Sequence, residues 1–367
     1  MNMNDIELFS YNKNCNELKS KFSLNKKNIN LFAYISFIKI ISAFLVILKH
    51  TNRNYWKFNQ YWVSTNVMCS FCMCAVPLFS LCIGATLLDF NEKYNIKEFW
   101  KRRFKKVVLP IMGWNIIYYY YRIYIIKNFK RPNLNLITIY NIYFKSNLYP
   151  IINSLRVFII GYMIIPLIAY VNKTNKIKIY SYCFLLLFIN QSLIPYLMKY
   201  FENYKLSWPY NYNVGYIIYI FAGYLIHNNK FHPKFKLLIY CSGIIGLLLR
   251  LVVSHYLTMK NKKPDKTEIN YIGLPIVMYS CAVFLFIKEN FDCLFKNFNL
   301  FYINIIGSLS MGPFFLHYII IWGLPHLFNY NEWSFYFRFF GAFLVSFICF
   351  IITFLIKKIP IIKFLTP

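Results

Sequence analysis

Apolar residues run along this chain in long stretches separated by short polar and basic joints. Such stretches fall at roughly 31–49, 65–88, 106–126, 151–171, 178–198, 213–227, 236–256, 270–288, 302–324 and 335–357. A helix rises about 1.5 Å per residue, so about 20 apolar residues cross the hydrocarbon core of a bilayer. The pattern therefore predicts an all-α polytopic membrane protein with about ten transmembrane helices. The sixth stretch is short, which suits a tilted or partly re-entrant segment. Residues 1–29 are polar and Lys-bearing and predict a disordered cytoplasmic tail. Their order is wrong for a cleaved signal peptide, which would place an apolar core close behind a few charges at the start. Residues 30–358 then form one transmembrane helical domain, and 359–367 a short cytoplasmic C-terminal tail. No fixed-period repeat and no separate soluble domain is visible.

Composition agrees with that division. The chain is 58% hydrophobic and 21% aromatic, with a mean hydropathy of +0.43. Only 14% of its residues are charged, against about 25% in an ordinary soluble domain. A net charge of +29 would suit nucleic acid if it formed a stripe. Here the cations sit in short loops between apolar stretches, so the pattern is topological and nucleic acid is excluded as a partner. The richest loop holds Lys97, Lys101, Arg102, Arg103, Lys105 and Lys106. Placing it inside puts both termini in the cytoplasm of a multi-pass cell-membrane protein, with membrane lipid as its surroundings. Lys260, Lys262, Lys263 and Lys266 run against the bias, in a nominally outer loop. Most of the ten Cys lie within apolar stretches, where disulfides do not organise a fold. Cys69, Cys72 and Cys74 have metal-like spacing but lack matching partners, so they read as buried thiols and no metal site is expected. The pattern specifies no oligomeric state.

Chemistry concentrates in the first apolar stretch. Tyr34 to Arg53 contains Lys39 and ends in the pair Lys49-His50. An ionisable group inside a span is costly and is a functional candidate by default. Eleven residues at about 100° each return to nearly the same helix face, roughly 16 Å along the axis. Lys39 and His50 therefore line one stripe at different depths. The second stretch carries Val76-Pro77-Leu78-Phe79 and, a little later, Gly84. Behind it, Phe99 to Lys106 and then Pro110 form a basic loop that is either a topological anchor or an anion cradle. His317 lies in the ninth stretch with Ser310 seven residues before it. It is either a polar residue bonded between helices or a second active-site histidine. Arg156 is either a buried charge or one that snorkels from a helix end.

Taken in order, these residues resemble the integral-membrane acyltransferases of acyltransferase family 3. The likeness rests on a basic residue and a His eleven apart in the first span, on VPLF…G in the second, and on RRFKK…P entering the third. It continues through Gly161 to Leu167, Gly215-Tyr216 to Gly223-Tyr224, and Ser310 to His317. The chain departs from the family where Lys39 replaces the usual Arg and Ser36 a frequent acidic residue. Ile83 replaces a serine, Lys106 the second Arg of an Arg-x-x-Arg pattern, and Ile151 and Asn153 a His-Trp pair. Lys keeps the charge of Arg but loses its bidentate fork.

Acyl transfer to a hydroxyl needs a base for the proton and donors for the developing oxyanion. The resemblance implies His50 as general base, Lys39 as its deeper donor-side companion and His317 as a further active-site group. It implies that Arg102, Arg103 and Lys106 hold the phosphates of acyl-CoA, the cosubstrate, with no permanently bound cofactor. Arg156 and Ser310 would face the acceptor, a glycan or glycolipid at the cell surface, and the acyl group would be acetyl. Two other classes stay open at this stage. A ten-helix carrier would show paired interrupted helices in two halves, which are not seen. A non-catalytic relative would account for the departures.

Overall fold

A computed structural model describes residues 32–52, 57–125, 150–198, 216–265, 270–327 and 334–366, with the side chains of 150–157 and 325–327 left undescribed. Among the described residues all regular structure is helical. In chain order the helices are α1 (Ala33–Thr51), α2 (Trp62–Cys72), α3 (Ala75–Leu87), α4 (Ile96–Arg103) and α5 (Leu109–Tyr124). Next come α6 (Pro150–Ala169), α7 (Lys176–Leu187), α8 (Ile194–Met198), α9 (Ile217–Asn228) and α10 (Pro233–Asn261). The last four are α11 (Leu274–Leu294), α12 (Leu300–Leu309), α13 (Met311–Leu327) and α14 (Phe335–Lys358). Wide π turns at Phe104–Val108 and Phe188–Leu193 join α4 to α5 and α7 to α8.

Six helical segments are long and apolar enough to cross a membrane: Ala33–Thr51, Trp62–Glu92, Lys176–Met198, Pro233–Asn261, Leu274–Leu294 and Phe335–Lys358. A seventh is the pair Leu300–Leu309 and Met311–Leu324, bent by 57° at its break. The count among the described residues is thus six or seven, where hydropathy predicts about ten. The physical reason is length. Helix α9 has 12 residues and α5 has 16, about 18 and 24 Å of rise, short of a core about 30 Å thick. The stretch 302–324 is also not a single rod. The N-terminal tail, Lys266 and Gly215 lie outside the described residues.

Helix α1 stands in the middle of the molecule, packed against α2, α3, α11, α12, α13 and α14. Two apolar clusters lie against it. One holds Val46, Ile47, Phe79, Trp114, Phe314 and Phe315; the other holds Tyr34, Ile38, Leu78, Leu81, Tyr219 and Phe284. In lipid, apolar side chains gain little by leaving the solvent, so helices associate through close packing and polar contacts. The crossing of α3 and α9 shows how close. A Cβ on Gly84 would lie 1.9 Å from the Ile220 carbonyl oxygen, and one on Gly223 would lie 2.0 Å from that of Leu81. The glycines of two motifs some 140 residues apart are the two halves of one backbone-to-backbone contact. This explains why the short helix α9 is buried from Ile217 to Ile226.

Overpacking of a tight site costs about 1–3 kcal/mol and more where backbone must move. Gly223→Leu is therefore expected to lower the melting temperature of detergent-solubilised protein by several degrees and to reduce the monodisperse fraction on size exclusion. An unchanged melting curve would show that the crossing can open without cost.

The segment 359–366, expected as a tail, is docked. Trp114 Nε1 donates to the Leu365 carbonyl at 2.9 Å, and Phe364 and Leu365 cover Gly113 on α5.

Candidate active site

Two polar regions face α13 from α1, one near each end of the central helix. The first is a cavity of about 380 Å³ where α1, α3, the end of α4 with its π turn, α6 and α14 meet the break between α12 and α13. Lys39, Arg103, Lys106 and Lys357 line it, with Thr86, Tyr162, Ser308 and Ser310 as neutral polar groups. None of the described lining residues is acidic. Its apolar wall includes Phe79, Ile83, Phe158 and Phe314. Arg103 at the end of α4 and Lys106 in the π turn at Phe104–Val108 both line the cavity, whereas Lys105 does not. Arg103 lies 5.4 Å from the centre of the Tyr162 ring and 5.7 Å from that of Phe99. Its Nε is buried without a hydrogen-bond partner among the described residues.

Arg102 points elsewhere. It pairs with Glu98 at 2.9 Å, lies 4.4 Å from the Tyr94 ring, and holds the Glu98 carboxyl below the usual range. The resemblance placed it with Arg103 and Lys106, but it stands outside the cavity because i and i+1 on a helix face different ways.

The second region surrounds His50. Its Nδ1 lies 2.8 Å from Tyr318 Oη, and its ring centre is 5.1 Å from that of His317. His317 is fully buried, with Nδ1 3.0 Å from the Pro313 carbonyl oxygen. A carbonyl only accepts, so Nδ1 of His317 carries a proton and Nε2 of the neutral ring is a lone-pair acceptor. That Nε2 is buried with no partner among the described residues. Phe314 links the two regions, since it lines the cavity and its ring lies 6.3 Å from His317.

Further cations gather on the His50 side. Lys49 donates to Tyr271 Oη at 2.6 Å. Arg338, buried, donates to Thr65 Oγ1 at 2.7 Å and Ser64 Oγ at 3.1 Å. Arg250, also buried, donates to Asn66 Oδ1 at 2.6 Å and to Ser70. All three lie within electrostatic reach of the Cys69 thiol. Cys69, Cys72 and Cys74 are buried free thiols, and no metal-holding group of His, Cys, Asp and Glu occurs among the described residues.

With this geometry in hand, the comparison with known families is decisive: the family model for an acyltransferase domain, that of acyltransferase family 3, matches residues 32–357. The chain belongs to that family. No curated protein and no solved structure matches it. Family membership together with the apolar helices makes it an acyltransferase of the membrane-bound kind.

The motifs that suggested acyltransferase family 3 converge in space. Lys39 of the first span, Phe79 of the second, Arg103 and Lys106 of the basic loop, Tyr162 of α6 and Ser310 of the late motif all line the one cavity. His50 and His317, from the first and last of these motifs, meet in the second region. The departures are legible too. Ile83 makes part of the cavity wall apolar. Ser36 donates to Asn304 Oδ1 at 2.7 Å and lies against Gly307, where a Cβ would come within 2.6 Å of it. That contact brings α1 and α12 close together at the position of the departure.

The side chain of Arg156 lies outside the described set, as do Ile151 and Asn153. Sequence reasoning missed three groups. Lys357 shared its signal with its neighbour Lys358 as a terminal anchor. Tyr318 and Tyr271 are two among 33 tyrosines, although Tyr318 follows His317 directly.

Proposed function

We propose that this protein moves an acyl group, in the simplest case acetyl, from acyl-CoA to a hydroxyl of a cell-surface or lipid-linked glycan. The observation that carries the reading is the pairing of a cation-lined cavity near one end of α1 with the His50–His317 pair near its other end. Lys39 and His50 both face α13, roughly 16 Å apart by helix rise. That span suits a donor whose phosphates and thioester lie at opposite ends of an extended arm.

In this mechanism Arg103 and Lys106 bind the donor phosphates. Lys39 stands at the same end, so its role is with the anion rather than beside His50. His50 is the general base. In the tautomer whose Nδ1 donates to Tyr318 Oη, Nε2 keeps a lone pair for the acceptor hydroxyl proton. The alkoxide oxygen attacks the thioester carbonyl and a tetrahedral oxyanion forms. The C–S bond then breaks, and the leaving thiolate takes the proton from the His50 imidazolium. Lys49, one residue away, and His317 supply positive and polar surroundings for this charge movement. Arg156 is assigned to positioning the acceptor, whereas Ser310 lines the cation cavity from the helix break and so stands at the donor end. The cavity end faces the cytoplasm, where acyl-CoA is available, and both termini lie on that side of the cell membrane.

The direct test incubates membranes with labelled acetyl-CoA, with and without the gene, and follows label into cellular glycans. Label that depends on the gene is the expected result. Thiol labelling of a Cys placed at Lys97, with native thiols removed, reports the side of the basic loop. Labelling from outside would overturn the orientation and the donor assignment with it.

A further inference from the structure

The cavity has a fourth cation that no motif supplied. Lys357 sits in the last turn of α14, three hundred residues from the first span, and lines the cavity with Lys39, Arg103 and Lys106. Its Nζ donates to the Ser308 carbonyl at 3.3 Å, beside the α12–α13 break. Its neighbour Lys358 is exposed and lies 4.5 Å from the Phe354 ring, away from the cavity. Lys106 is repelled by Arg103, Lys39, Arg102 and Lys357 together, three of which share the cavity with it. Positive charges gathered without acid destabilise the empty state, and such an arrangement persists where an anion relieves it. The neutral donors beside them, Tyr162 and Ser310, suit phosphate oxygens.

We propose that Lys357 is a further phosphate ligand of the donor site, closing it from the last span, and that the site selects a nucleotide thioester bearing several phosphates over a bare pantetheine thioester. This rests on the acyl-CoA reading above and deepens it. The last helix thereby becomes part of donor recognition, and its hold on Ser308 ties that recognition to the break next to Ser310.

The test uses the full chain purified in detergent, with CoA and pantetheine as probes in equilibrium binding and melting experiments. Wild-type protein is expected to bind CoA well above pantetheine. Lys357→Met should weaken CoA about tenfold, the effect of one charged hydrogen bond, and leave pantetheine unchanged. Lys357→Arg should restore binding, and Lys358→Met should have no effect. Because the mutation removes repulsion, the ligand-free melting temperature of Lys357→Met should be equal to or above that of wild type. A merely structural lysine would lower it. Equal CoA affinity in wild type and Lys357→Met would overturn the inference while leaving the acyl-CoA reading intact. So would a loss of CoA affinity accompanied by a lower ligand-free melting temperature and no rescue by Arg. Failure of the wild-type protein to bind CoA at all would overturn both.

Discussion

His50→Ala and His50→Gln are expected to lower acyl transfer by about 10²–10⁴-fold, the usual cost of removing a general base. Protein level and melting temperature should change little, because His50 is only partly buried at the end of α1 and its one described hydrogen bond is to Tyr318. Gln keeps a polar side chain of similar reach but cannot take a proton, so it separates base chemistry from packing. Tyr318→Phe keeps the ring and removes the hydroxyl that orients His50. Its expected loss is smaller, about 2–10-fold for one neutral hydrogen bond, and should fall on kcat. Initial rates with labelled acetyl-CoA and membranes containing equal amounts of each protein make the comparison. Near wild-type transfer by His50→Ala would move the base to His317, whose buried Nε2 has no partner among the described residues.

The helical architecture was legible because long apolar stretches have few other solutions. So was the common face of Lys39 and His50, since 3.6 residues per turn decides it. The number of spans was not. Hydropathy reports apolar length, and the deeply buried helix α9 is apolar all round although it is only 12 residues long. The break at Ser310 was equally hidden. Pro313 signals it weakly, but Pro166 lies inside α6, which runs on from Pro150 to Ala169 around it. Gly84 and Gly223 stood in separate motifs, and only the fold shows that each leaves space for the other's helix. Lys357 was invisible for a different reason. A basic pair at the end of the last apolar stretch has an adequate topological explanation, and only geometry separates the lysine that lines the cavity from the one that does not.

The donor cations bear the second large effect. Arg103→Ala and Lys106→Ala should each raise the apparent KM for acyl-CoA by about 10–100-fold, the equivalent of about 1.5–3 kcal/mol for a charged hydrogen bond. The effect should sit on KM, because both residues line the cavity and neither approaches His50. Arg103 is expected to show the larger loss. Its guanidinium is flanked by Tyr162 and Phe99, which reduces the freedom it loses on gripping a phosphate, whereas Lys106 is exposed. The double variant should lose less than the product of the single effects, since both cations act on one anion and each single change already relieves repulsion on the other. Arg102→Ala provides the internal control, because its partners are Glu98 and Tyr94 outside the cavity; its KM should stay near wild type. Lys106→Arg restores the fork that acyltransferase family 3 usually carries at this position and should hold or lower KM. Unchanged donor dependence in Arg103→Ala and Lys106→Ala, at normal protein levels, would return both residues to topological anchors and leave the cavity without a ligand.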